Sequence, residues 1–219
     1  MTCIVAIKFE DFVIIASDKM ASIQGRSCDV NEEKIFIGSG RLSTGAGSKD
    51  FLEKIKHEIV SRPDVQLDYY LGKYDRISSG DSSIISAMTQ DGGSICLTSM
   101  KFGDDGFSLL EDYDFRCYYP LETTRYAADA REELLVDQLV SLRDRGSDLS
   151  ADNLYLFMYI CSRIILDTSI ASPETVTKEF DFAVMNKRGK IYICEGIDKD
   201  LVCEKGAVLA AKIMSELLD

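Results

Sequence analysis

The chain has 219 residues and a formal net charge of −12, which argues against non-specific binding to nucleic acid or to an anionic membrane, because both require clustered lysine and arginine. Its 46% hydrophobic and 28% charged residues are typical of a globular protein large enough to bury its own core. No linker or internal repeat divides the sequence. We therefore expect one domain over residues 1–219.

The first half of the chain predicts two hairpins and a helix. β-Branched apolar runs at 2–8 and 12–17 predict a hairpin at the N-terminus. Runs at 34–37 and 42–44 predict a second hairpin, and a glycine-rich loop then leads into an amphipathic helix at 49–62, with Ser48 as its N-cap. Residues 63–79 are ambiguous.

The second half continues the alternation of hairpins with helices. Its predicted elements are a hairpin at 83–88 and 94–100, a strand within 114–119, helices at 125–142 and 151–166, a hairpin at 181–186 and 190–194, and a helix at about 203–218. Sheets made of hairpins and covered by helices are typical of the α+β class.

The seven cysteines are scattered and form no CxxC pair. Their odd number and their apolar surroundings favour buried reduced thiols in a cytoplasmic protein over a disulfide framework or a metal site. The glycine-containing segments GSG and GAG do not follow a nucleotide-binding pattern, so no cofactor is expected. No apolar run approaches the ~18 residues of a membrane helix, and we expect no membrane span.

An N-terminal threonine can supply a nucleophile and a base from one residue. Removal of Met1 would leave Thr2 with a free α-amine of pKa near ~7.7–8.0, which can accept the proton of the Thr2 hydroxyl. Taken alone, a Met-Thr start is common in proteins without this role. The residues around Thr2 must therefore indicate whether it is a nucleophile.

Two charged residues are spaced to support Thr2. Asp18 ends the second strand of the first hairpin, so it should lie near the start of the first strand. Lys34 begins the next strand. A lysine ammonium group beside a hydroxyl lowers the pKa of that hydroxyl, and a carboxylate next to the lysine orients it. The alternatives are that Asp18 is a turn residue and that Lys34 lies on a solvated strand edge.

The segment TCIVAIKFEDFVIIASDKMAS resembles the N-terminus of mature proteasome β subunits and of the HslV peptidase, which are N-terminal nucleophile hydrolases. That family has a processed N-terminal threonine followed by an aspartate and a lysine at the spacings of Thr2, Asp18 and Lys34. The resemblance implies a four-layer αββα sandwich of two antiparallel sheets flanked by helices. It also implies that Gly45, in TGAGSKDF, donates a backbone N–H to the oxyanion.

A second matching segment, ILDTSIAS, resembles the family's Asp-x-x-Ser segment. Asp167 corresponds to the aspartate that supports the ammonium group of the nucleophile. Ser169 follows Asp167 by two residues, whereas the family's serine follows its aspartate by three, so Ile170 occupies the position of the family's serine. An insertion, SPETVTKEF, separates this segment from the next strand, and the family's Ser/Gly-rich segment before its third helix has no counterpart.

The resemblance implies a threonine-type amide hydrolase, in the first place a proteasome-like peptidase that acts on peptide or amide substrates within a homo-oligomeric ring. Two alternatives stay open: a catalytically inactive structural subunit, and an amidase or transpeptidase with a specific substrate. A Ser-His-Asp triad is disfavoured, since the single histidine, His57, lies on a polar helix face without a GxSxG motif. The sequence does not identify an unfoldase or regulator.

Overall fold

The computed structural model describes residues 2–9, 11–23, 26–29, 32–38, 40–62, 82–90, 92–103, 106–112, 117–118, 125–127, 152–194 and 199–218. The strands in these ranges are β1 (Ile4–Lys8), β2 (Phe12–Asp18), β3 (Ala21–Ile23), β4 (Arg26–Asp29), β5 (Ile35–Gly38), β6 (Arg41–Ala46), β7 (Ser82–Thr89), β8 (Ile95–Gly103), β9 (Gly106–Asp112), β10 (Cys117–Tyr118), β11 (Phe180–Asn186) and β12 (Ile191–Ile193). The helices are α1 (Lys49–Ser61), α2 (Asp152–Ala171) and α3 (Lys199–Leu218).

The strands form two five-stranded sheets and a separate hairpin. The first sheet has the order β10-β1-β2-β11-β12, and the second has the order β5-β6-β7-β8-β9. All described pairings are antiparallel. All four predicted hairpins are present. The β3–β4 hairpin and β9 were not predicted from the sequence.

Side-chain alternation along the strands builds the layers. On β1, Val5 and Ile7 belong, with the preceding Cys3, to a buried cluster shared with α2, whereas Ile4 and Ala6 belong to a cluster that fills the space between the sheets. A third cluster joins the second sheet to α1. The order helix, sheet, sheet, helix confirms the predicted α+β sandwich of two antiparallel sheets.

Helix α2 extends beyond its predicted end at residue 166. No helix breaker occurs before Pro173, and the hydroxyls of Thr168 and Ser169 donate to carbonyl oxygens of their own helix, each at 2.7 Å. Such bonds satisfy the hydroxyls without ending the helix. Helix α3 likewise begins earlier than predicted, at Lys199.

One segment of α2, Leu154–Ala171, is long and apolar enough to cross a membrane by length and composition. No membrane-spanning segment was expected from the sequence. More than half of this window, 56%, is buried in the fold, and α2 packs on β1 and β2. The segment therefore has the surroundings of a core helix.

Three of the remaining predictions lie wholly or partly outside the described residues. Residues 63–79 are outside them. The predicted helix at 125–142 is described only at 125–127, which are helical. The strand predicted within 114–119 corresponds to β10, Cys117–Tyr118.

The cysteines whose side chains are described are free thiols. Cys3, Cys96 and Cys161 are buried, as predicted, but Cys194 and Cys203 are only half-buried. The prediction of burial is wrong for Cys194, because it follows the exposed edge strand β12.

Candidate active site

The β1–β2 hairpin brings Asp18 to the start of the chain. The strand register pairs Ile4 with Ser17, so Asp18 lies opposite Cys3. The backbone N–H of Asp18 donates to the carbonyl oxygen of Cys3 at 3.1 Å, and the N–H of Cys3 donates to Asp18 Oδ1 at 2.9 Å. Since Cys3 N is bonded to the carbonyl carbon of Thr2, Thr2 Cα lies within about 5.5 Å of that carboxylate oxygen.

Lys34 pairs with the same carboxylate. Its Nζ lies 3.0 Å from Asp18 Oδ1 and also donates to the carbonyl oxygen of Met20. The side chains of Lys34 and Asp18 are only 8% and 0% exposed. Lys34 immediately precedes β5, and its carbonyl oxygen accepts a hydrogen bond from Thr44 Oγ1 at 3.0 Å. The ion pair therefore joins the first sheet to the start of the second.

The second oxygen of Asp18 is held by two backbone groups. Asp18 Oδ2 accepts the N–H of Met20 at 3.0 Å and the N–H of Thr177 at 3.3 Å. Thr177 lies in the connector between α2 and β11, within the insertion noted in the sequence. Sequence reasoning missed this contact because it joins residues far apart in the chain, where local patterns carry no distance information.

Burial shifts both partners of the pair toward their neutral forms. It raises the pKa of Asp18, and the charge and hydrogen bond of Lys34 oppose that shift. Burial also lowers the pKa of Lys34, against the opposing charge of Asp18. Lys34 therefore loses its proton at a lower pH than a lysine in water, and its protonated form is the one that would favour the anion of a hydroxyl placed beside it.

The glycine-rich segment before α1 needs glycine for steric reasons. Gly45 lies within β6, and a Cβ there would come 2.5 Å from Leu52 Cδ2. Gly47 has a φ of +128°, and a Cβ there would lie 2.3 Å from Ser82 Oγ. Of the two glycines of GAG, only Gly45 was predicted to belong to the site, although an added Cβ would meet a close neighbour at both positions.

Ser48 holds the N-cap position of α1 but makes no side-chain capping bond. Its backbone N–H donates instead to Ser82 Oγ at 3.0 Å. Ser48 is therefore the N-cap residue, as predicted, but its side chain does not supply the capping bond. The cross-strand bond to β7 fixes the turn that leads from β6 into α1.

The other two predicted site residues lie in the last turns of α2. Asp167 accepts a hydrogen bond from Arg163 Nη2 at 3.1 Å, and its side chain is 28% exposed. Ser169 is buried and donates to the carbonyl oxygen of Leu166. These contacts lie within the helix, whereas those of Asp18 and Lys34 join them to the start of β1.

A small cleft opens beside Lys34. Its lining residues are Glu32, Glu33, Lys34, Phe36, Gly45, Leu52, Glu53 and Lys56. Two lysines partly neutralise the acidic lining, because Lys49 pairs with Glu32 at 3.3 Å and Lys56 with Glu53 at 3.9 Å. The cleft therefore has an apolar wall and a mixed charged rim next to the ion pair.

Comparison with known proteins identifies the fold. No protein-family model matches the chain, and no curated protein matches its sequence. Eukaryotic HslV from Trypanosoma brucei superposes with a TM-score of 0.55 at 13% identity, over 84% of this chain and 99% of that one. Thiobacillus denitrificans BPH in complex with epoxomicin superposes with a TM-score of 0.53 at 14% identity, over 84% of this chain and 98% of that one. The chain thus has the proteasome β-type, HslV-like N-terminal nucleophile hydrolase fold.

Proposed function

We propose that this chain is a threonine-type N-terminal nucleophile amide hydrolase, acting as a proteasome-like peptidase through Thr2 once Met1 is removed. The observation that carries the proposal is the buried Asp18–Lys34 pair, 3.0 Å long, whose carboxylate also binds the backbone of Cys3. A buried ion pair tied to the residue after the N-terminal threonine matches the chemical needs of an activated hydroxyl.

The reaction begins with attack of Thr2 Oγ on the amide carbonyl carbon. The Thr2 α-amine accepts the hydroxyl proton, directly or through water, and later passes it to the leaving amine. Lys34 favours the alkoxide, Asp18 orients Lys34, and the N–H of Gly45 stabilises the oxyanion. The resulting ester is hydrolysed by water, which restores Thr2.

Asp167 and Ser169 are proposed to support the Thr2 ammonium group from the end of α2. The matching segment of the sequence supports this assignment, and the contacts of both residues described above lie within their own helix. The cleft beside Lys34 is proposed to receive a side chain of the substrate. Its three carboxylates disfavour acidic side chains there.

The same resemblance supports a homo-oligomeric ring in the cytoplasm as the working form of the protein. Electron microscopy of the purified chain tests this part of the proposal separately from the chemistry. Closed rings support it, and a monodisperse monomer contradicts it.

An inactive structural subunit is the second candidate. Ile170 favours it, because this side chain is 71% exposed and occupies the position of the family's serine. In that case the fold and the ion pair serve stability alone. Activity measurements separate the two candidates.

The decisive comparison uses wild type, Thr2→Ala and Thr2→Ser on a panel of fluorogenic peptide amides. A peptidase loses turnover in Thr2→Ala and retains part of it in Thr2→Ser, which keeps a hydroxyl beside the amine. Equal turnover in wild type and Thr2→Ala contradicts the proposal. Adding an amine nucleophile and analysing the products by mass distinguishes hydrolysis from acyl transfer.

A further inference from the structure

The connector between α2 and β11, residues 172–179, lies against the carboxylate of Asp18. The N–H of Thr177 donates to Asp18 Oδ2 at 3.3 Å. Two residues further on, the carbonyl oxygen of Glu179 accepts the N–H of Lys19 at 2.9 Å. The connector is therefore bonded both to Asp18 and to the residue that follows it.

The connector is itself held by the core. Thr175 and Val176 are 9% and 2% exposed, and Val176 belongs to the cluster between the first sheet and α2. The N–H groups of both residues donate to the carbonyl oxygen of Ser172, at 3.1 and 3.0 Å. This turn and its buried side chains fix where the next N–H, that of Thr177, points.

We propose that this connector is a positioning element for the nucleophile, in which the N–H of Thr177 holds the Asp18 carboxylate in the orientation that binds Cys3 and Lys34. The inference rests on the proposed role of Thr2. Because one carboxylate binds both the residue after Thr2 and the lysine, its displacement moves both away from their working positions. Thr177 acts through Asp18 and is therefore a positioning residue.

A backbone donor to a carboxylate stabilises its ionised form. Burial already raises the pKa of Asp18, so losing the Thr177 bond raises it further. A protonated Asp18 no longer compensates the charge of Lys34, and turnover falls as the pH is lowered through that pKa. Among the described titratable groups, Cys3, which precedes β1, and Glu32, which precedes β5, interact with Lys34. Cys161 on α2 interacts with Cys3, and Lys19, the residue after Asp18, forms an ion pair with Asp181.

The test removes the N–H and keeps the side chain. Incorporating the α-hydroxy analogue of threonine at position 177 of the full chain converts the 176–177 amide into an ester. The matched control is the same replacement at Glu174, an exposed residue of the same connector. We expect the ester at 177 to lower kcat about tenfold, as for the loss of a hydrogen bond to a charged group.

The pH profile separates positioning from a general loss of stability. The acid limb of kcat includes protonation of the Thr2 α-amine, which both esters share, and protonation of Asp18. The ester at 177 should move the Asp18 step to higher pH with KM changed less than about twofold, while the ester at 174 should leave both steps in place. Identical profiles for the two esters, or an acid limb that does not move, would overturn the proposal.

A second readout needs neither a variant nor activity. In NMR spectra of the wild-type chain, the amides of Cys3, Met20 and Thr177 should titrate with one common midpoint, because all three donate to the Asp18 carboxylate. A Thr177 amide that does not follow the Cys3 amide would overturn the proposal even in an active enzyme. A common midpoint in a chain without hydrolase activity would support the connector and refute the proposed role of Thr2.

Discussion

The Asp18–Lys34 pair offers a quantitative test, because the chain contains a matched exposed pair. Asp18→Asn leaves the Lys34 ammonium group, 8% exposed, without a countercharge. Removing one partner of a buried pair costs about 3–5 kcal/mol of unfolding free energy. Lys34→Met leaves Asp18 with three backbone donors and should cost less. The double variant buries no charge, so it should be more stable than the sum of the single effects predicts.

The measurement is a double-mutant cycle from urea unfolding. We expect a coupling energy of about 2–3 kcal/mol for Asp18→Asn with Lys34→Met. The control cycle uses the Lys187–Asp11 pair, whose side chains are 54% and 63% exposed, and should give about 0–1 kcal/mol. A coupling for the buried pair no larger than that of the exposed pair would refute the reasoning.

Three further predictions follow from the geometry of the site. Lys34→Arg should move the alkaline limb of kcat/KM to higher pH. Burial lowers the pKa of Lys34 and the protonated side chain is the active form, whereas a guanidinium group keeps its proton at high pH. An alkaline limb that stays in place would count against Lys34 as the cation that stabilises the Thr2 alkoxide. Gly47→Ala should lower the free energy of unfolding, measured in urea, by at least about 2 kcal/mol more than Gly92→Ala. Gly92 is the matched control, because it also has a positive φ, +98°, but has open space around it. Equal losses would show that Ser82 moves aside at little energetic cost and would contradict the prediction. Gly45→Ala should push Leu52 toward the cleft. The kcat/KM for substrates with a bulky side chain should then fall about tenfold relative to that for substrates with a small one, which a series of fluorogenic peptides measures. An unchanged ratio would show that the cleft does not bind the substrate side chain.

Local geometry explains why part of the candidate site was predictable. Antiparallel pairing in a short hairpin fixes which residues lie opposite each other, so Asp18 had to return to the level of Cys3 once β1 and β2 formed. The α+β class followed from the alternation of hairpins and helices for the same reason. Lys34 was named for its charge and its place at the start of the next strand, but its contact with Asp18 crosses from one sheet to the other, so local geometry did not fix it.

Other parts of the site depend on tertiary contacts that the sequence pattern does not encode. The bond from Thr177 to Asp18 joins residues 159 positions apart in the sequence. Helix α2 continues past its predicted end at residue 166, because Arg163 and a helix carbonyl oxygen satisfy Asp167 and Ser169 inside the helix. Strand β9 was missed.

The most direct test of the central claim is mass spectrometry of the intact chain after reaction with an electrophilic peptide that traps N-terminal nucleophiles. The account predicts a chain lacking Met1 that carries one adduct, mapped by fragmentation to Thr2. The Thr2→Ala variant should remain unlabelled. Retention of Met1 together with full turnover, or an adduct on another residue, would contradict it.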